Sequence, residues 1–512
     1  MASFEPRDYQ NSIFETAKNN NTLVVLPTGV GKTLIALMLA IERQKKHPGE
    51  KVLILAPTKP LIEQHYETFK KNLHELFASL ELFTGEIPAK QRKKLWDTAD
   101  IIFSTPQCIA NDIGNYLYDL RQVSLLVIDE AHRCLKNYDY TKVASSYKSQ
   151  SVHPLILGLT ASPGSDSEKV KQICLNLNIE KIESRTRDSE DVKPYMQELD
   201  FQKHLVPFPK EFIEIQVLLK KIFDNKVNQL RERSLLFGPV NKIILLKLQS
   251  RLAAQASQKN GNAMYGMSLT AQAIKISHAL ELLETQTLSG LNDYLLRLKK
   301  QAEEKKSRGV QTLVNSPEFM AAFLSLTQLL EKGTEHPKIE ELSTLIESEF
   351  QESKKAKIII FTQFRDTASV ILKNLAKIKL AKPKMFVGQA KKSNSSGSTG
   401  LSQKEQKQII QDFRENKVNI LIATSIGEEG LDIPEVSAVY FYEPIPSEIR
   451  KIQRAGRTAR LAKGKLAILI TQNTRDEINH YASTAREKKM HRVIDKVKLD
   501  LKNKPKTLRD FI

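Results

Sequence analysis

Residues 26–33, LPTGVGKT, constrain this chain more than any other stretch. They lie between the apolar run TLVVL (22–26) and the helical pattern LIALMLAIERQ (34–44). A strand, a glycine loop and a helix, in that order, form the setting in which such spacing becomes a phosphate cradle. Gly29 and Gly31 let backbone N–H groups turn inward at a helix N-terminus, where they meet phosphate oxygens. Leu26, Pro27, Thr28 and Val30 complete the loop. Lys32 then reaches the β- and γ-phosphates, and the Thr33 hydroxyl is placed to ligate Mg²⁺. A glycine turn before an ordinary helix is the competing reading. A second motif about a hundred residues further on decides against it.

That motif is SLLVIDEAHR (124–133). It puts Asp129 and Glu130 at the C-terminal end of a buried strand. Asp129 suits an outer ligand of the Mg²⁺ that bridges nucleotide phosphates, and Glu130 can orient and deprotonate the attacking water. Two carboxylates and a loop lysine are the parts that phosphoryl transfer from ATP with Mg²⁺ requires.

At 512 residues the chain exceeds one core, so two or three domains are expected. Residues 1–204 alternate apolar, β-rich runs with helical patterns, which predicts a doubly wound α/β domain with its ligand at the strand C-termini. In residues 205–335, apolar positions recur at i, i+3, i+4 spacing, which predicts an all-α insertion. The α/β alternation resumes over 336–483. Within it, the Ser/Gly-rich stretch 391–400 is expected to be mobile, and Ser402 with Glu405 forms a capping box for the helix that follows. Residues 484–512 read as a basic tail, with Arg486, Lys488, Lys489, Arg492, Lys496 and Lys498. It either lies along phosphates or is a solvated helix.

A net charge of +19 suits a polyanionic partner, nucleic acid or acidic membrane, and equally a surface of solvated lysines. No apolar run approaches the ~20 residues that span a bilayer, and the N-terminus lacks the order of a signal peptide. Cys108, Cys134 and Cys174 lie far apart, so neither a disulfide framework nor a zinc site is expected. A protein of the cytoplasm, associated with the nucleoid and not secreted, is the resulting expectation.

With these residues in place, the chain resembles a superfamily 2 DEAH-type helicase or translocase along almost its full length. RDYQ (7–10) resembles the adenine-side element, with Gln10 as base reader. APTKPL (56–61), TG (84–85) and STPQ (104–107) match nucleic-acid motifs of the first domain. LTASP (159–163) matches the coupling motif, with Thr160 and Ser162 in it and His132 sensing it. IIFTQFRDTA (359–368), IATSIGEEGLDIPEV (422–436) and IQRAGRTARLAKG (452–464) match motifs of the second domain. The resemblance implies two RecA-like parallel-sheet domains with ATP between them. It makes Arg457 and Arg460, one helical turn apart, arginine fingers. It also makes Gln453 and Asp432 further cleft residues. Thr58, Lys59, Thr84, Gly85, Thr105, Thr362 and Thr424 form the nucleic-acid track. Small donors of this kind suit phosphate oxygens, so binding should show little sequence preference and strong salt dependence. Each threonine alone would equally serve as a helix cap.

GLSQKEQ (400–406), ATSIGEEGLDIPEV (423–436), FYEPIPSEIR (441–450) and TRDE (474–477) together resemble the archaeal Hef helicase and its relative, the Fanconi anaemia group M or Mph-type translocase. That implies an ATP-driven motor for branched DNA, namely stalled forks and Holliday junctions, in repair and replication restart. The helical insertion would grip the nucleic acid. The chain departs from the family at Ala455 and Ala459, where arginine and glycine are expected. Nothing near its end resembles a nuclease domain, so it should not cut DNA itself, and a nuclease would be a separate partner. Leu508, Phe511 and Ile512 fall at i, i+3, i+4 and resemble a sliding-clamp-binding peptide, with Pro505 at the usual glutamine position. Docking of this tail on its own domain remains the alternative. An RNA helicase or duplex-RNA sensor, and a non-catalytic nucleic-acid clamp, are the competing functions.

Overall fold

The computed structural model describes residues 5–74, 77–136, 138–257, 260–388, 393–394, 397–398, 400–424, 433–445, 447 and 464–502. The apolar runs of the first lobe become β1 (Thr22–Val25), β2 (Lys51–Leu55), β3 (Leu80–Phe83), β4 (Ile101–Ser104), β5 (Val123–Ile128), β6 (Ile156–Thr160) and β7 (Lys181–Ser184). They form one parallel sheet in the order β3-β4-β2-β5-β6-β1-β7. Successive side chains point to opposite faces. Leu23, Leu53 and Leu126 therefore enter one core, and Val24, Ile54 and Val127 enter the other. Burial on both faces is why these strands are apolar throughout. Helices α1 (Asp8–Ala17), α2 (Lys32–Lys46), α3 (Lys59–Asn72), α4 (Ala89–Thr98), α5 (Pro106–Gly114), α6 (Asp139–Gln150) and α7 (Ser167–Asn176) connect or flank the strands.

The second lobe holds a six-stranded parallel sheet. Its strands are β8 (Leu199–Val206), β9 (Ile358–Phe361), β10 (Pro383–Phe386), β13 (Ile420–Ala423), β14 (Ala438–Phe441) and β15 (Gly464–Thr471), in the order β10-β13-β9-β14-β15-β8. A separate antiparallel pair, β11 (Ser393–Asn394) with β12 (Gly397–Ser398), falls in the Ser/Gly-rich stretch. Among the described residues, the lobe's helices are α14 (Lys338–Glu352), α15 (Arg365–Leu375) and α16 (Gln403–Arg414). The last starts on the expected capping box of Ser402 and Glu405.

The first boundary needs correction. Residues 199–204 do not close the first domain. They belong to β8, which pairs with β15 from Leu199 opposite Gly464 to Val206 opposite Thr471. The chain thus lays down an edge strand of the second sheet before it enters the insertion. LDFQKHLV escaped notice because it is polar at alternate positions and only partly buried, with Phe201 and Leu205 exposed.

The insertion is helical: α8 (Lys210–Glu232), α9 (Lys242–Ala256), α10 (Gly261–Thr285), α11 (Leu288–Glu303), α12 (Arg308–Val314) and α13 (Pro317–Glu331). Asn241, Asn260 and Thr287 cap α9, α10 and α11 with their side chains. Its base sits on the second lobe. Thr367 Oγ1 donates to Gln286 Oε1 at 2.9 Å, the Tyr442 hydroxyl donates to the Gln286 carbonyl at 3.4 Å, and Arg297 pairs with Asp366 at 3.4 Å.

The expected basic tail from 484 is also corrected. One helix, α17, runs from Arg475 to Lys502. Met490, Val493, Ile494 and Val497 recur at i, i+3, i+4, i+7 and are buried in the first lobe's core, while Arg486, Lys488, Lys489 and Arg492 face outward. The helix therefore leaves the second lobe and returns to the first. No described helix is long and apolar enough to cross a membrane.

The root of α17 is pinned by an ion pair. The Lys338 ammonium, fully buried, pairs with Asp476, donates to the Thr285 carbonyl at 3.1 Å and lies 5.2 Å from the Tyr442 ring. Asp476 Oδ2 also accepts from the Thr471 N–H at 3.1 Å. Burial holds the Asp476 carboxyl above its ordinary value, with Lys338 acting in the opposite direction. Replacing one member strands a buried charge, which costs about 3–5 kcal/mol. Asp476→Ala should therefore melt well below the parent in a thermal scan, and the apolar pair Lys338→Met with Asp476→Leu should recover much of the loss. A single variant that melts with the parent would contradict this.

Candidate nucleotide and nucleic-acid site

Parallel strands all end at one edge, and the motif residues follow those ends. β1 leads into the glycine loop, β2 into Thr58 and Lys59, and β3 into Thr84 and Gly85. β4 leads into Thr105, β5 into Asp129 and Glu130, and β6 closes on Thr160 before Ser162. β5 and β1 flank β6 in the sheet, so Asp129 and Lys32 converge although ninety-odd residues separate them.

Gly29 and Gly31 have φ of 84° and 77°, the left-handed region that glycine enters without a Cβ penalty. Gly31 is the N-cap of α2, so the turn delivers the loop to a helix N-terminus, where unpaired N–H groups favour an anion. The Lys32 ammonium folds back over the loop, donating to the Leu26 and Pro27 carbonyls at 3.1 and 3.3 Å. α1 holds the loop from outside. The Tyr9 hydroxyl donates to the Val30 carbonyl at 2.6 Å, and Gln10 Nε2 donates to the Val30 and Gly31 carbonyls at 3.3 and 3.4 Å. Gln10 Oε1 accepts from the Arg7 N–H at 2.9 Å. Gln10 is thus buried against the loop, and Tyr9 beside it is a contact the sequence reading missed.

Asp129 is buried and doubly held. Its Oδ2 lies 2.8 Å from His65 Nε2, and its Oδ1 accepts from the Glu130 N–H at 2.9 Å. The Tyr140 hydroxyl donates to its carbonyl at 2.7 Å. Burial alone would raise its pKa. The His65 hydrogen bond and charge, then the Lys32 ammonium, outweigh burial and hold the carboxyl below the ordinary carboxylate value. Glu130 sits at φ 50°, ψ 48°, a conformation uncommon for a residue with a Cβ and concentrated at functional sites. Glu130 Oε2 is 3.2 Å from His132 Nδ1 but makes no hydrogen bond and is buried. Its nearest partner is thus the His132 ring, at ion-pair distance.

Behind the carboxylates, Thr160 Oγ1 donates to the Ser162 carbonyl and accepts from the Ser162 N–H, each at 3.2 Å, and lies 3.1 Å from His132 Nδ1. Which of the Thr160 hydroxyl and the His132 ring donates depends on the histidine tautomer. Ser162 Oγ in turn donates to Met490 Sδ at 2.9 Å. His65 and Met490 escaped sequence reading. His65 lies in an unremarkable helix, and Met490 was hidden by the basic residues around it. The i, i+3, i+4, i+7 run from Met490 to Val497 was the available signal.

The track residues divide. Thr58 and Thr105 occupy the N-cap positions of α3 and α5 without capping by their side chains, and Thr58 Oγ1 is buried and unpaired. Lys59 pairs with Glu86 at 2.6 Å. Thr84 is buried at the end of β3. In the second lobe Thr362 and Thr424 end the neighbouring strands β9 and β13, both buried. Thr362 Oγ1 donates to Glu443 Oε2 at 3.2 Å, and the Gln363 N–H donates to Glu443 Oε1 at 2.5 Å, so Glu443 braces this loop. A cleft of about 1040 Å³ separates α3, with Lys59, Glu67 and Lys71, from α16, with Lys407, Gln411 and Arg414. Lys407 reaches across it to Glu63 at 3.6 Å. Asp432, Gln453, Arg457, Arg460, Leu508, Phe511 and Ile512 lie outside the described residues.

The loop geometry is directly testable. A Cβ on Gly31 would stand 2.6 Å from Gln10 Nε2, in a left-handed conformation that costs an L-residue about 1–2 kcal/mol. Gly31→Ala should lower the denaturation midpoint by more than that strain alone, and adding Gln10→Ala should return the excess. Equal losses in both backgrounds would show that Gln10 does not press on the loop.

Comparison with known proteins places this arrangement. Residues 7–170 match the family "DEAD/DEAH box helicase", and residues 337–462 match "Helicase conserved C-terminal domain". Residues 211–333 match "Putative ATP-dependent RNA helicase, helical bundle". The chain is 36% identical over 494 residues to the Methanocaldococcus jannaschii protein named "Putative ATP-dependent RNA helicase MJ1505", covering 96% of this chain and 61% of that protein. It is 32% identical over 485 residues to Neurospora crassa "ATP-dependent DNA helicase mph1", covering 92% and 41%. The chain thus spans less than two thirds of the length of these relatives. Among solved structures, the crystallised helicase domain of Pyrococcus furiosus Hef superposes with a TM-score of 0.72 at 41% identity, covering 93% of this chain and 98% of that one. Two parallel-sheet lobes, the helical insertion and this likeness along nearly the whole chain make it a member of the superfamily 2 helicases of the Hef and Mph1 type.

Proposed function

We propose that this chain couples ATP hydrolysis to movement along branched DNA, such as stalled forks and Holliday junctions, in repair and replication restart. The observation that carries the chemistry is the convergence of Lys32, Asp129 and Glu130 at one sheet edge. There, Asp129 is held ionised, and a buried Glu130 oxygen lies beside the His132 ring at 3.2 Å. The residues fit a magnesium–triphosphate pair. N–H groups of residues 29–33 would hold the phosphates, Lys32 would turn from its loop carbonyls to them, and Thr33 and Asp129 would hold the metal. When bound, magnesium neutralises charge on the phosphate oxygens. Glu130 orients the attacking water and takes its proton. Arg457 and Arg460, with Gln453 and Asp432, are proposed to complete the site from the second lobe.

DNA as the track is supported by the name of the Neurospora relative, a DNA helicase, by the net charge of +19, and by Thr58, Thr84, Thr105, Thr362 and Thr424 at strand ends in both lobes. Donors of that size bind phosphates without reading bases. The Methanocaldococcus relative's name and that of the helical-bundle family favour a second reading, RNA. Proposed partners are a sliding clamp, through Leu508, Phe511 and Ile512, and a nuclease.

Two experiments test this reading. Glu130→Gln should bind ATP and nucleic acid yet lose roughly a hundred-fold or more in turnover, the scale of a general base, and Lys32→Ala should be equally inactive. Turnover near the parental rate in either would overturn the site. Steady-state ATPase with single-stranded DNA, duplex, fork, four-way junction and duplex RNA should peak on forked or four-way DNA and fall steeply with salt. A peak on duplex RNA would establish the second reading instead.

A further inference from the structure

α17 is a single helix with neither glycine nor proline between Arg475 and Lys502, so it lacks the usual sites of a kink. Its two ends belong to different bodies. At the root, Asp476 is bound to Lys338 and to the Thr471 N–H of the second lobe. Arg475 Nη1 donates to the Ser277 carbonyl of the insertion at 2.6 Å, and Arg475 Nε lies 3.4 Å from Glu284. Fourteen residues on, about 21 Å along the axis at helical rise, Met490 begins the face buried in the first lobe. Lys171 and Asp500 add an ion pair at 3.1 Å further along.

Met490 does more than fill that core. Its sulfur accepts a hydrogen bond from the Ser162 hydroxyl, and both side chains are almost fully buried, at 2% and 1% exposure. Ser162 is joined to Thr160, Thr160 to His132, and His132 Nδ1 stands 3.2 Å from Glu130. An unbroken series of contacts thus leads from a rigid helix anchored in the second lobe and the insertion to the carboxylate proposed to activate water.

Building on the ATP-driven reading above, we propose that Met490 is a positioning residue. Through it, α17 sets the seat of Ser162, so that movement of the second lobe or the insertion is felt at the nucleotide site without passing through the cleft between the lobes. Displacement of the helix root has no hinge in which to dissipate, and it loads the 160–162 segment through the sulfur contact. Packed contacts of this kind transmit couplings of a size that changes a rate or ratio by roughly 3- to 30-fold.

The test uses Met490→Leu, which keeps the volume and removes the acceptor, together with Ser162→Ala and the double variant. Melting temperature, ATP turnover without nucleic acid, and strand displacement per ATP on the most stimulating substrate are measured for each. Met490→Leu should keep its melting temperature and unstimulated turnover but displace about 3- to 30-fold fewer strands per ATP. In the Ser162→Ala background the same change should have no further effect, because the two residues act as one contact. Parental strand displacement per ATP in Met490→Leu, or an undiminished effect in the double variant, would overturn the proposal. If Met490→Leu melts low, Ser162→Ala carries the test: it leaves the Met490 packing intact, and parental strand displacement per ATP in it would overturn the proposal equally. Full ATP turnover by Glu130→Gln would instead overturn the underlying reading of the site.

Discussion

In a parallel sheet all strand ends, and with them the starts of the following helices, fall on one edge. That constraint organises this molecule. It brings the loop after β1, the carboxylates after β5 and the threonines after β2, β3 and β4 to one rim, although the chain visits them over more than a hundred residues. Helix N-termini supply partial positive charge on that rim. Asp129 stays anionic there despite burial, because His65 and Lys32 together outweigh desolvation. The proposed binding of a phosphorylated ligand on one side and of a phosphate backbone on the other would be two uses of the same edge.

The chain then interlocks its parts. β8 enters the second sheet before the insertion is made, and α17 leaves that sheet to finish the first lobe's core. The second lobe is therefore assembled from segments on both sides of the insertion in sequence, and the first lobe is completed only by the end of the described chain. Lys338 and Asp476 lie where these paths cross. A buried ion pair of this kind is weak evidence for net stability but strongly penalises loss of one partner, which suits a junction that must close in one register. The same crossing makes the lobes mechanically interdependent.

Much of this was legible in the sequence for physical reasons. Continuous apolar runs such as TLVVL and SLLVI signal strands buried on both faces, and the glycines of LPTGVGKT signal a left-handed turn. The helical period of the insertion was equally plain. What escaped lacked such a signature. β8 is a half-exposed edge strand whose apolar residues are too few to stand out. The apolar face of α17 is diluted by lysines on its other faces, so charge hid the periodicity. His65 matters only because folding carries α3 over β5, a tertiary juxtaposition no local pattern records. Glu443 likewise braces Thr362 from a neighbouring strand some eighty residues away.

The proposed motor depends on one site, where the glycine loop and the β5 carboxylates would share a magnesium-bound triphosphate. A crystal structure of the chain with Mg²⁺ and a non-hydrolysable ATP analogue tests it most directly. The phosphates should lie on the N–H groups of residues 29–33, with the Lys32 ammonium moved from the Leu26 and Pro27 carbonyls onto them. The metal should lie within reach of Thr33 and Asp129. An analogue bound elsewhere, or seated on the loop while Lys32 keeps its carbonyl partners, would contradict the account.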